Sequence, residues 1–162
     1  LNMNKNYYSW QQVDNAINNI ILQMFNDNWK PEVIIGLTRG GLTPAVKLSN
    51  LTGIPMHTLD VRLRDTFNGY EVESNQKFAK QAIKNHNILI VDDINDTGET
   101  LDWIYNDWKK AWPGKDPKAI WNNVIRVACL IDNTASDFDI DYSAIEINKI
   151  ETPQWVVFPW EE

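Results

Sequence analysis

Apolar positions along the chain alternate between two rhythms. Val13, Ile17, Ile20, Ile21, Met24 and Phe25 recur at the spacing of one helical face, and Ser9 with Gln12 forms a capping-box pair just before them. Pro31 ends that segment. "EVIIGL" is then an unbroken apolar run, as expected of a short strand buried on both sides. A polar, glycine-bearing turn, "TRGG", leads into a helix over Leu42 to Leu51, with Gly53 placed to cap its C-terminus. "IPMHTLDVRL" predicts a second strand, Arg64 to Asn75 a loop, and Gln76 to Lys84 a short helix. "NILIV" predicts a third strand, followed by a helix through Trp112 that Pro113 and Gly114 stop. "NNVIRVACLI" predicts a fourth, and "YSAIEI" and "WVVF" two shorter ones. Continuous apolar strands alternating with helices imply a mainly parallel sheet covered on both faces, in a single α/β domain over residues 1–162.

Composition narrows the function classes. A chain of 162 residues with 43% hydrophobic and 23% charged residues has the balance of a soluble globular domain. No apolar run approaches the ~20 residues that span a bilayer, and the polar N-terminus lacks a signal-peptide core, so no membrane partner is expected. The net charge of −7 argues against nucleic acid, whose phosphates need clustered Lys and Arg. Cys129 is the one cysteine, which excludes an intrachain disulfide and suits a reducing cytoplasm. Its apolar neighbours predict a packed, inert thiol.

Chemistry concentrates in "NILIVDDINDTGETLDWI". A buried strand here ends on two adjacent carboxylates, Asp92 and Asp93, and in an open parallel sheet ligands bind beyond such strand ends. One Asp suffices to cap the next helix. Two together repel, and they suit sugar hydroxyls or a hydrated metal. "DTGET" then enters a helix, whose unpaired N–H groups and dipole favour an anion. Gly98 permits close backbone approach, and Thr97 and Thr100 add hydroxyls. Diol acceptors beside a phosphate cradle describe a site for a ribose 5-phosphate group.

This stretch resembles the binding motif for phosphoribosyl pyrophosphate (PRPP) in type I phosphoribosyltransferases: an apolar strand, two acidic residues, then Asp-Thr-Gly and Thr. "VIIGLTRGGLTPAVKLSN" is similar to the family's pyrophosphate loop, and "WVVFPWEE" to the end of bacterial xanthine-guanine and hypoxanthine members. The resemblance implies the family fold, a mainly parallel sheet with a small C-terminal hood. It implies that Asp92 and Asp93 bind the ribose diol, directly or through Mg²⁺ and water. Asp96 would contact the base and accept its proton, while Thr97, Gly98, Glu99 and Thr100 cradle the 5-phosphate together with Asp96. Thr38, Arg39 and Gly40 would meet pyrophosphate, in a loop where the family often has a non-proline cis peptide. Trp155 would stack on the base and Val156 offer main-chain contacts. The loop over 64–75 falls where the family has a flap.

The implied activity is Mg²⁺-dependent transfer of ribose 5-phosphate from PRPP to a nucleobase, a 6-oxopurine in nucleotide salvage, with pyrophosphate and a nucleoside monophosphate as products. A homo-oligomer, dimer or tetramer, is expected with it. One departure stands out. Where 6-oxopurine enzymes carry a Lys after the "VACLI" strand, this chain has Asp132 or Asn133, and Asn133 is the amide expected to reach the base. A receiver domain, which can also open with "ILIVDD", is a weaker rival, because it needs that motif near its start and only 70 residues follow Asp92 here. A non-catalytic sensor of PRPP or a nucleotide on the same fold is the alternative reading.

Overall fold

Five parallel strands form the central sheet of this computed structural model, which describes residues 3–61 and 76–162. In chain order the elements are β1 (Asn4–Tyr7), α1 (Trp10–Asn26), β2 (Val33–Leu37), α2 (Leu42–Thr52), β3 (Met56–Leu59), α3 (Gln76–Ala82) and β4 (Ile88–Asn95). They continue with α4 (Glu99–Trp108), α5 (Pro117–Ile120), β5 (Ile125–Asn133), β6 (Tyr142–Ile147) and β7 (Gln154–Val157). The sheet order is β3-β2-β4-β5-β6, and β1 pairs with β7 in a separate two-stranded parallel ribbon. Strand order reverses between β2 and β4, which makes the crevice beyond their carboxyl ends the place for a ligand.

Alternation along the strands sends side chains into two cores, one on each face. Ile34, Leu89, Val91, Ala128 and Leu130 pack under α1 and α2. Ile35, Ile88, Ile90, Val127 and Cys129 pack on the other face, under α3 and α4. Cys129 is fully buried, and desolvation pushes its thiol well above its ordinary pKa, as an inert packed cysteine requires. Helix α1 starts where the capping box predicts: Gln12 N–H donates to Ser9 Oγ, and Ser9 N–H to the Gln12 side chain. Its buried stripe is Val13, Ala16, Ile17, Ile20 and Met24.

Some expectations need correction. Phe25 is 79% exposed, because it stands about 100° round the helix from Met24 and leaves the buried stripe. Helix α1 ends at Asn26, several residues before Pro31. Helix α4 ends at Trp108 and tightens into a 3₁₀ turn over Lys109–Ala111, so it does not reach Trp112. β1 and α5 have no counterpart in the sequence reading: all four side chains of β1 face solvent and carry no apolar alternation. The expected loop and flap over 64–75 lies outside the described residues. Among the described residues no helix is long and apolar enough to cross a membrane.

Candidate active site

Ladder pairing carries β4 past the apolar run, with Asp92 opposite Cys129, Ile94 opposite Ile131 and Asn95 opposite Asp132. The acidic pair therefore stands on a strand, not in a loop. Consecutive strand residues face opposite sides, and this divides the pair's surroundings. Asp92 lines a pocket of about 80 Å³ with Asp96, Thr97, Gly98, Glu99 and Thr100 at the start of α4. The Asp93 carboxylate, which also meets the Asp92 side chain, lies against the turn after β2: a Cβ added to Gly40 would overlap it. The switch point thus joins the pocket at the start of α4 to the "TRGG" turn.

Both carboxyls are costly to ionise. Burial raises Asp92 well above the usual carboxylate range, and the charge of Asp93 raises it further. Burial also raises Asp93, and the Glu161 carboxylate from the C-terminal turn adds to the effect. Local hydrogen bonds compensate in part: Asp93 N–H donates to Asp92 Oδ1 at 2.9 Å, and Ile94 N–H to Asp93 Oδ1 at 2.8 Å. A cation or a pair of hydroxyl donors would complete this pair chemically. Among the described residues no group of three His, Cys, Asp or Glu side chains forms a protein-only metal cage. Two carboxylates suit Mg²⁺, a hard cation that characteristically keeps water and substrate oxygens as its remaining ligands.

The pocket beside α4 has an anion-binding character. Gly98 is the N-cap, at φ 88°, and has no side chain of its own to cap the helix. The first intrahelical bond runs from Asp102 N–H to Gly98 C=O, so the N–H groups before Asp102 have no helical carbonyl to meet. Thr97 Oγ1 accepts from Glu99 N–H at 3.3 Å. Gly98 is obligatory for a second reason: a Cβ there would come within 2.6 Å of Phe138 Cβ and 2.8 Å of Ser136 Oγ. The segment between β5 and β6 thereby buttresses the cradle. Asn95, 2% exposed, ties the same parts together, donating from Nδ2 to Asp132 Oδ1 at 2.9 Å and to Phe138 C=O at 2.7 Å.

The turn after β2 carries the Thr38–Arg39 cis peptide. Thr38 is anchored twice: its N–H donates to Leu59 C=O at 3.0 Å, and Oγ1 donates to Asp60 at 2.8 Å. Gly41 closes the turn through its N–H to Leu37 C=O at 2.9 Å, and a Cβ on it would strike Val91 C=O. Arg39 is exposed at the tip.

Beyond the pocket, Trp155 on β7 is 55% exposed and Val156 beside it is half-buried. Asn133 is not at this surface. It is 7% exposed, and its amide is committed below the site: Nδ2 donates to Asp96 C=O at 2.8 Å, while Oδ1 accepts from Lys149 N–H at 3.0 Å. The residue that does reach the surface is one the sequence reading passed over. Lys149, on the turn after β6, places Nζ 3.0 Å from Asp96 Oδ2 and 5.9 Å from the Trp155 ring centre. The clue lay in the topology: in a parallel sheet the segment after every strand emerges at the same edge, and "YSAIEI" is followed by Asn148 and Lys149.

The model of the phosphoribosyl transferase domain family matches residues 3–162. A xanthine-guanine phosphoribosyltransferase of Cereibacter sphaeroides is 26% identical over 144 residues, covering 83% of this chain and 72% of that protein. The crystal structure of a purine phosphoribosyltransferase from Pyrococcus horikoshii superposes with a TM-score of 0.72 at 32% identity, over 99% of this chain and 96% of that one. A Helicobacter pylori xanthine-guanine-hypoxanthine phosphoribosyltransferase shares the fold, with a TM-score of 0.70 at 19% identity, over 99% of this chain and 94% of its own. With an acidic pair at the switch point, a helix N-terminus beside it and a family match over nearly its whole length, this chain belongs to the phosphoribosyltransferase family.

Proposed function

We propose that the protein transfers the ribose 5-phosphate group of PRPP to a 6-oxopurine, as a Mg²⁺-dependent enzyme of cytoplasmic nucleotide salvage. The observation that carries this reading is the position of Asp92 and Asp93 between the pocket at the start of α4 and the "TRGG" turn. Asp92 borders the pocket at α4, which suits the 5-phosphate, and Asp93 abuts Gly40 in the turn that suits pyrophosphate. A ribose bridging the two would lie over the carboxylates, with its hydroxyls as their donors. The purine preference rests on the named relatives and on Trp155, an exposed ring beyond the pocket able to stack on a base.

In the reaction, a ring nitrogen of the base forms a bond to C1 of the ribose. The bond from C1 to the pyrophosphate oxygen breaks, and pyrophosphate leaves with the electron pair. The base N–H proton passes to Asp96. Arg39 stabilises the charge gathering on the leaving group, and the N–H groups at the start of α4 hold the 5-phosphate still. Asp92 and Asp93 would hold Mg²⁺, which when bound neutralises charge on the departing pyrophosphate. The active assembly is a homo-oligomer, as the family resemblance implies.

Incubating the protein with PRPP, Mg²⁺ and each common nucleobase tests the reading. Guanine, xanthine or hypoxanthine should yield the monophosphate and one equivalent of pyrophosphate. Tight nucleotide binding without turnover for any base would overturn it in favour of a sensor on the same fold.

A further inference from the structure

Asp96 and Lys149 lie 53 positions apart in sequence, yet both backbones are held by one buried side chain. Asn133 donates to the carbonyl of Asp96 and accepts from the N–H of Lys149. The turn that carries Lys149 is itself rigid: Asn148 Oδ1 accepts from Ile150 N–H at 3.0 Å and Glu151 N–H at 3.1 Å, and Thr152 N–H closes on Asn148 C=O at 2.9 Å. The Lys149 side chain is 19% exposed and the Asp96 side chain 45%, so the pair opens to the site from the Asp96 side.

We infer that Lys149 is a positioning residue for Asp96, and that the turn after β6 is part of the active site. An exposed ion pair contributes little to stability, mainly because two flexible side chains must be ordered to make it. Here both main chains are fixed beforehand, so the contact serves orientation. Lys149 engages Oδ2 of Asp96 and leaves Oδ1 to meet a base N–H, and the same ammonium lies over the Trp155 face. The stacking ring and the proton acceptor are thereby held in one register. The inference rests on the transferase reading, with Asp96 as the group that takes the proton.

The test compares K149M and K149R in the wild-type and D96N backgrounds, with calorimetric binding of ribose 5-phosphate alongside. K149M should lower kcat about tenfold, as expected when a charge-assisted hydrogen bond is lost, and leave the KM for PRPP within about twofold. K149R should recover most of the loss. In D96N, K149M should cost less than about twofold more, because a residue acting through Asp96 has nothing left to position. Unchanged ribose 5-phosphate affinity in K149M would agree with this role. The same tenfold loss in both backgrounds, or no loss in K149M, would overturn the inference while leaving the transferase reading intact. A wild-type protein that binds no ribose 5-phosphate would instead bring down that reading.

Discussion

The two sides of the site are built in opposite ways. The side proposed to take ribose and phosphate comes from one continuous stretch, Asp92 to Thr100, in which a strand end, a left-handed glycine and a helix start follow one another. The side proposed to meet the base is assembled from parts far apart in the chain: Asp96 after β4, Asn133 at the end of β5, Lys149 after β6 and Trp155 on β7. Strand β7 is in turn held by β1, the opening segment, with Lys5 opposite Trp155. A group common to every substrate can be recognised by a compact local motif. The part that varies is met by side chains on separate connections, each able to change without disturbing the others.

If that division holds, removing charge from the acidic pair should do most damage. D92N with D93N should reduce turnover at least about a hundredfold, by the loss of transition-state charge stabilisation and metal binding. The melting temperature at neutral pH should rise, because burial raises both groups and an ionised pair is then a burden on the fold. Activity assays and thermal melts run side by side would separate the two effects. A stable variant with full turnover would break the assignment.

R39A comes next. It should cost roughly 3 kcal/mol in kcat/KM for PRPP, the scale of one preorganised charge donor, while nucleoside monophosphate affinity changes far less. Equal losses for both ligands by steady-state kinetics and calorimetry would place Arg39 elsewhere. On the base side the effect should be smaller and confined to one substrate. W155A should raise the KM of each accepted base about fivefold to tenfold, in line with ~1 kcal/mol for a stacked ring pair, and leave the KM for PRPP unchanged.

The smallest effect on catalysis should come from a carboxyl remote from both halves. Asp141 accepts the N–H of Val127 at 2.8 Å, and burial raises it to about 6. Between the ordinary carboxylate range and that value the folded protein keeps a proton that the unfolded chain has released. Stability should therefore fall as pH rises through about 4 to 6 and level off above. D141N can still accept the Val127 N–H, so it should flatten this slope and add on the order of 2 kcal/mol at pH 7, with kcat unchanged. Denaturant melts across pH would detect it, and an unaltered slope would remove Asp141 as the cause.

The geometry of the Asp92 to Thr100 stretch was legible because its determinants are local. Apolar period, two adjacent carboxylates, and a glycine flanked by threonines each mark their own place on the backbone, and a strand leading into a helix fixes their relative geometry over nine residues from Asp92 to Thr100. The capping box of α1 and the left-handed Gly53 after α2 were readable for the same reason. What the residue order could not carry was which connection meets which across the sheet edge. Asn133 is the last residue of β5, and burial turns its amide inward to brace Asp96 and Lys149. The cation paired with Asp96 comes instead from the turn after β6, because parallel strands deliver their following segments to one edge and only packing decides which side chain reaches it. β1 was invisible in the same way: its four exposed residues bear no periodic signal, and pairing with β7 at the far end of the chain is what makes them a strand.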